Sequence, residues 1–222
     1  MLGGRSPYFV PVLKKPTRPE IPKKAIYRLS VYLRCLSRLR SNSIRTVSSE
    51  ALATAAGVKP TQLRKDLTYF GQFGTRGLGY DVEQLSKMIA DTLGTTSLQP
   101  VILVGVGNLG RALLSYRGFD QEGFEVLAAF DAEAMAKNKL PAPKPILPME
   151  EMATFIREHN VRMAILTVPA PAAQEVANVL VENGIVGILN FAPMVLSVPE
   201  EVQVNYVNLA IELENLSYFI QG

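Results

Sequence analysis

The hexapeptide Gly105-Val106-Gly107-Asn108-Leu109-Gly110 spaces three glycines as GxGxxG, directly after the apolar run Val101-Ile102-Leu103-Val104. In that setting the first glycine turns the chain and the second admits a pyrophosphate to the backbone. The third lets the following helix pack on the strand. Asp131 ends the next apolar run, 26 residues after Gly105. A carboxylate there accepts hydrogen bonds from adenosine ribose hydroxyls and repels a 2′-phosphate, which favours NAD(H) over NADP(H). The chemistry reads as binding without turnover, so no catalytic residue is expected. A dehydrogenase needs an acid–base group near the nicotinamide. The sole histidine, His159, ends a helix beside Asn160 and reads as a solvated surface residue, and no Tyr-x-x-x-Lys pair occurs.

A second kind of chemistry lies in the first third of the chain. Residues 1–80 hold fifteen Lys or Arg and three acids (Glu20, Glu50, Asp66), a net +12, whereas residues 81–222 carry a net −9. A split this sharp implies two tasks, the first directed at a polyanion. Ala53, Gly57 and Leu63 have helix-turn-helix spacing: a small residue where helices cross, a glycine in the turn, a leucine anchoring the second helix. Such a helix fits the DNA major groove. Thr61, Gln62, Arg64 and Lys65 are expected on its outward face, with Tyr69 at its end. Gly71–Tyr80, punctuated by glycines, reads as a β-hairpin wing. Its Arg76 suits a narrow minor groove. Ser48 and Ser49, either of which can cap the preceding helix, are candidate phosphate ligands at a helix N-terminus, although a serine there is first a cap.

The elements that must position these groups follow from periodicity. Residues 1–22, with Pro7, Pro11, Pro16, Pro19 and Pro22, read as a flexible basic tail. From Lys23 an apolar stripe of Ile26, Leu29, Leu33, Leu36 and Leu39 predicts a helix, with Cys35 beside it as a core thiol. The second helix runs from Ser48 or Ser49 to Gly57, the third opens at Pro60 with Leu63, Leu67 and Phe70 inward, and the fourth buries Val82, Leu85, Met88, Ile89 and Leu93. After a Gly94–Pro100 linker the pattern alternates. Strands Val101–Val104, Phe124–Asp131, Met163–Val168 and Val186–Phe191 are separated by helices through Leu109–Leu114, Met149–His159 and 171–183. Apolar strands alternating with helices indicate a doubly wound parallel sheet, a Rossmann domain. The expected division is a tail over 1–22, a winged helix over 23–97, a Rossmann domain over 98–200, and a C-terminal strand and helix over 201–222. One cysteine excludes an internal disulfide, and no Cys/His cluster suggests a metal. Without a membrane-length apolar run or a signal-peptide core, cytoplasm is the expected location.

The run Gln62-Leu63-Arg64-Lys65-Asp66-Leu67-Thr68-Tyr69-Phe70-Gly71, continuing Phe73-Gly74-Thr75-Arg76-Gly77-Leu78-Gly79-Tyr80, resembles the signature of the Rex family of redox-sensing repressors. Val168-Pro169-Ala170 and Gly187-Ile188-Leu189-Asn190-Phe191-Ala192-Pro193 resemble its later motifs, and the resemblance covers about residues 23–220. It implies a homodimer that binds operator DNA when NADH is scarce and releases it when NADH binds. It also implies a nucleotide pocket completed by Thr167, Val168, Pro169, Asn190, Phe191, Ala192 and Pro193, and a switch through Tyr116, Asn208, Leu209 and Leu213. By the residues alone, Tyr116 reads as packing at the end of a helix. The resemblance further implies a C-terminal helix swapped into the partner. Residues 207–220 are apolar on most sides, which requires cover on most sides, from a partner or from the helix's own domain. Relatives usually place an aspartate where this chain has Asn208, and some an arginine where it has Asn108. A CoA- or NAD-binding enzyme subunit of the succinyl-CoA synthetase type is the alternative, since Val168–Ala170 and the nucleotide core resemble that class too.

Overall fold

The computed structural model describes residues 21–71, 74, 78–134 and 142–220. Most of the expected tail, Arg76 and much of the expected wing lie outside the described residues. The chain divides into two compact units, Met1–Gly94 and Thr95–Gly222.

The first unit is built on α1 (Lys23–Ser41), α2 (Ser49–Ala55), α3 (Pro60–Thr68) and α4 (Val82–Leu93). Ala25, Leu29, Tyr32 and Leu36 form the fully buried line of α1, while Ile26, Leu33, Cys35 and Leu39 pack half-buried beside it. The helix is thus turned slightly from the leucine stripe that the sequence suggests, with a tyrosine at its centre. Of the two candidate caps, Ser48 closes α2, its hydroxyl accepting from the Ala51 N–H at 3.0 Å. Gly57 takes φ +67°, the left-handed turn that α2 needs to hand over to α3. Pro60 occupies the first turn of α3, where its missing N–H costs nothing. Ala53 and Leu63 are both fully buried in the crossing of α2 and α3.

Two short strands, β1 (Thr46–Val47) and β2 (Tyr80–Asp81), pair antiparallel. The hairpin expected over Gly71–Tyr80 lies largely outside the described residues; its described end, Tyr80, pairs with Val47 ahead of α2. Gly79 serves the crossing: with φ +80°, a Cβ there would sit 2.3 Å from the Val47 carbonyl oxygen.

Asp66 holds α3 against α1. It is 1% exposed, and its Oδ2 accepts from Arg28 Nε at 2.5 Å and from the Tyr32 hydroxyl at 2.7 Å. Its Oδ1 accepts from Arg28 Nη2 at 2.6 Å and Gln62 Nε2 at 2.8 Å. The bidentate arginine and two neutral donors use every strong acceptor direction of the carboxylate.

The second unit holds a six-stranded sheet in the order β5-β4-β3-β6-β7-β8. Its strands are β3 (Gln99–Val104), β4 (Phe124–Phe130), β5 (Ile146–Leu147), β6 (Met163–Leu166), β7 (Gly187–Asn190) and β8 (Gln203–Tyr206). Every pairing is parallel. Counted from β3 this is the doubly wound order 3-2-1-4-5-6, which reverses direction between β3 and β6. Ile102 and Val104 enter one core layer and Val101 and Leu103 the other, as strand alternation between two helix-covered faces requires. The covering helices are α5 (Asn108–Leu114), α6 (Gly118–Gln121), α7 (Met152–Glu158, preceded by a 3₁₀ turn over Met149–Glu151) and α8 (Ala170–Glu182). Both α6 and β5 are absent from the sequence reading, being too short to carry a period.

The last helix, α9 (Leu209–Ile220), has no buried residue. Leu209, Leu213, Leu216, Phe219 and Ile220 are 60–79% exposed. The expectation that its own domain might cover it is therefore wrong; the sheet's faces are already filled by α5–α8.

Burial opposes the ionised form of Asp66, but the bonds from Arg28, Tyr32 and Gln62 outweigh it and hold the carboxyl below its usual range. Its contribution is complete above the ordinary aspartate value of about 3.9 and is lost as pH falls through the lowered native value. Asp66→Asn should cost about 3 kcal/mol at pH 7 by stranding Arg28. The gap between wild type and variant should close below about pH 4. Urea midpoints read from α1 and α3 amide resonances across pH 2–7 check this; a constant gap would refute it.

Candidate nucleic-acid interface and nucleotide cradle

On the first unit, Thr61, Arg64 and Lys65 lie exposed on α3, Tyr69 is half-buried at its end, and Ser48 and Ser49 stand at the start of α2. The helix-turn-helix brings the two groups together. Arg64 Nη1 donates to Ser49 Oγ at 3.0 Å and lies 3.6 Å from Glu50 Oε1, and Ser49 Oγ donates to the same carboxylate at 3.2 Å. Glu50 is a member of this face that sequence reasoning passed over. Its carboxyl is held below the usual range by its own backbone N–H, then by the Ser49 hydroxyl, with Arg64 adding to both. An acid in the first turn of a helix, facing a basic helix across a tight turn, was the available signal. Gln62 corrects part of the outward expectation: it is half-buried, and the NH₂ end of its amide is turned inward to Asp66.

On the second unit, the predicted nucleotide residues gather at one edge. Gly105–Gly110 follows β3, Asp131 follows β4, Thr167–Pro169 follows β6, and Asn190–Pro193 ends and follows β7. All four segments lie at strand C-termini around the reversal between β3 and β6, where open parallel sheets bind ligands. The three glycines have separable reasons. Gly105 sits at φ +95°, and a Cβ would lie 2.9 Å from the backbone of Thr167 and Val168. At Gly110 a Cβ would fall 1.9 Å from the Gly105 carbonyl oxygen. At Gly107 a Cβ would meet nothing within 4 Å. The loop is therefore tight against protein at its first and third glycines and open at its second, the shape a pyrophosphate needs.

Thr167 Oγ1 lies 2.6 Å from the Gly105 carbonyl and 3.1 Å from that of Val104, tying the loop to β6. Asp131 Oδ2 accepts from the Val106 N–H at 2.6 Å, and its Oδ1 from the Glu133 N–H at 2.8 Å. The candidate ribose ligand thus also braces the glycine loop. Asn190 is 1% exposed and spends its amide on Ala192 and Met194, shaping the turn that presents Phe191 to Pro193. Tyr116 is 59% exposed and meets Phe119 edge-on at 5.1 Å. A Cβ on Gly118 would strike its ring, so that glycine makes room for the tyrosine. Asn208 caps α9, Oδ1 accepting from the N–H groups of Ala210 and Ile211 at 3.0 and 3.4 Å. Among the described residues no hydrogen bond joins Tyr116 to Asn208. His159 stacks on Phe155 at 3.9 Å. Among the described residues no group of three acids, histidines or cysteines could hold a metal, and no helix is long and apolar enough to cross a membrane.

A family model described as "Putative DNA-binding protein N-terminus" matches residues 20–68, and one described as "CoA binding domain" matches residues 96–194. The chain is 44% identical over 199 residues to the redox-sensing transcriptional repressor Rex of Desulforamulus reducens, covering 90% of this chain and 95% of that one. It is 47% identical over 201 residues to the Rex of Streptomyces coelicolor, covering 90% and 78%. Among solved structures it is similar to RSP in complex with β-NADH, with TM-score 0.79 and 33% identity over 90% of this chain and 94% of that one. It is also similar to RSP in complex with β-NAD⁺ and operator DNA, with TM-score 0.81 and 34% identity over 90% and 92%.

The glycine geometry separates folding from binding. Gly110→Ala should destabilise the second unit by about 3 kcal/mol, because α5 must lift from the strand. Gly107→Ala should change stability by no more than about 0.5 kcal/mol. It should nonetheless weaken NADH binding at least tenfold, since its methyl would stand in the open lip. Thermal unfolding and NADH fluorescence titration of both variants check the pair; a Gly107→Ala chain that binds as wild type does would remove the lip from the site.

Proposed function

The chain belongs to the Rex family of redox-sensing transcriptional repressors, and from that premise we propose that it represses transcription by binding operator DNA when NADH is scarce and releasing it when NADH binds. The observation that carries this is the pairing, in one chain, of a basic helix-turn-helix unit with a strand-end cradle whose glycine loop is open at Gly107. Relatives are named repressors, and similar solved structures hold NADH in one case and NAD⁺ with operator DNA in another.

On the DNA side α3 enters the major groove. Arg64 and Lys65, with Thr61, Gln62 and Tyr69, face bases and phosphates, Ser48 and Ser49 meet a phosphate, and Arg76 reaches the minor groove from the wing. Arg64 is poised by Ser49 and Glu50 before DNA arrives. On the nucleotide side the glycine loop takes the pyrophosphate and Asp131 the ribose hydroxyls. Thr167, Val168, Pro169, Phe191, Ala192 and Pro193 line the remaining wall, with Asn190 supporting it and Tyr116 beside it. The bound nucleotide supplies a reversible occupancy signal; no residue of the chain is assigned to turn it over. The functional segments are a tail to residue 22, a DNA unit over 23–97, a nucleotide unit over 98–200, and a dimerising strand and helix over 201–222. A second copy covers α9 through Leu209, Leu213 and their apolar neighbours, making a homodimer that acts in the cytoplasm.

The match of residues 96–194 to a CoA-binding model supports a second reading, a CoA-binding subunit. Thermal stabilisation by NADH, NAD⁺ and CoA, measured side by side, separates them: the repressor reading requires the dinucleotides to stabilise more than CoA.

Release of DNA requires NADH to bind the non-DNA-binding state more tightly, and a 5- to 150-fold ratio is about 1–3 kcal/mol of coupling. Operator duplex, obtained by selection from a randomised library with the wild-type chain, should then weaken NADH binding by the same factor. Calorimetry showing one NADH affinity with and without operator would sink the switch. Asn208→Asp keeps the α9 cap and restores the acid usual in relatives. A charged bond to Tyr116 exceeds the neutral one by about 1 kcal/mol. The variant should therefore need more NADH to release operator; an unchanged release curve would leave Tyr116 with packing alone.

A further inference from the structure

Resting on the reading of α3 as the DNA-reading helix, we infer that the buried Asp66 carboxylate sets the direction of the Gln62 amide and makes Gln62 a pre-oriented reader of one adenine.

Gln62 stands in the first turn of α3, one turn ahead of Asp66. The Asp66 carboxylate only accepts, so the Gln62 group facing it at 2.8 Å must be the NH₂ end. Turning the amide over would set its carbonyl oxygen against Oδ1, two acceptors face to face in a site where Asp66 is 1% exposed. An unpartnered buried acceptor is costly, and two opposed ones add repulsion. Asp66 cannot relax to ease the clash, because Arg28 grips it with two nitrogens and Tyr32 with its hydroxyl. The bidentate arginine also cancels its charge, so the carboxylate can lie beneath a DNA-facing surface without repelling phosphates.

One face of the Gln62 amide is therefore fixed inward. The other offers the carbonyl oxygen and the second N–H, an acceptor beside a donor. Among the described residues the oxygen has no partner in the chain, while Thr61, Arg64 and Lys65 around it are exposed. In the major groove adenine alone presents the complement, the N6 donor beside the N7 acceptor. Guanine shows two acceptors there, thymine an acceptor and a methyl group, cytosine a donor. A long side chain already immobilised in the free protein loses little further freedom on binding. Asp66 is thus a positioning residue that never touches DNA, and Gln62 is the residue through which it acts.

The test is selection from a randomised duplex library with the full-length wild-type chain and three variants, followed by affinities for single-base substitutions in the enriched site. Wild type should enrich a motif containing one A·T pair whose discrimination falls about tenfold in Gln62→Met, the other positions keeping theirs. Gln62→Leu, which offers no hydrogen bond on any face, should lose the discrimination at that same pair as Gln62→Met does. Asp66→Asn, which can pair with either end of the amide, should blur that pair alone. Because Asp66→Asn weakens the fold, the two Gln62 variants carry the test without it. A Gln62→Met chain with the wild-type motif at every position overturns the inference and leaves the repressor reading standing. So does a Gln62→Leu chain that keeps the wild-type preference at that pair. A wild-type chain that enriches no motif overturns the DNA-reading premise itself.

Discussion

Around the Gly105 carbonyl, three pieces of the second unit meet at less than side-chain distance. The Thr167 hydroxyl lies 2.6 Å from its oxygen, Gly110 passes so close that no Cβ fits, and β3, the strand that ends just before Gly105, is the centre of the sheet's two directions. That contact sets the height at which α5 leaves β3 and hence where the open lip at Gly107 stands. It also couples the ends of β3 and β6, the two strands between which the sheet reverses. The cradle follows from it: Asp131 from β4 and the Phe191–Pro193 turn from β7 converge on a loop already placed.

The first unit solves a different problem by a different means. A surface helix that reads DNA must keep its outward side chains polar, so only its inner side can specify how it sits. Leu63 and Leu67 supply the adhesion, but apolar contacts are non-directional and leave helix rotation loosely defined. The Arg28–Asp66–Tyr32 cluster adds direction. A buried ion pair is weak grounds for stability, because desolvation offsets its attraction, yet it is strict about geometry. Burial raises the Tyr32 hydroxyl's affinity for its proton, and the adjoining Asp66 raises it further, so the hydroxyl remains a donor at all working pH values.

The C-terminal helix presents the remaining constraint. Burying a leucine, isoleucine or phenylalanine side chain is worth roughly 1.5–3 kcal/mol. Along α9 Leu209, Ile211, Leu213, Leu216, Phe219 and Ile220, each at least half exposed, collect little of this within the chain. Twelve residues of helix with no buried position are short for independent stability. The proposed second copy meets that need at α9, which begins at Leu209, with two residues between it and the end of the sheet's last strand.

Sequence alone determined what depends on neighbours in the chain. The GxGxxG run with its flanking strand, the acid after the next strand, the Ala53–Gly57–Leu63 spacing and the proline that opens α3 are local patterns, and the steric reasons behind them act over a few residues. The charge division between the two units is likewise plain in composition. The remaining relations are long-range and exist only in the folded chain. The pairing of β1 with β2 joins residues more than thirty positions apart. Asp66 reads along the chain as one acid in a basic helix, and only the packing of α1 brings Arg28 and Tyr32 to it. The inward turn of Gln62 follows from that acid, one helical turn further on. Periodicity showed that α9 needs cover but could not say from where, because cover depends on which faces the other helices have already filled.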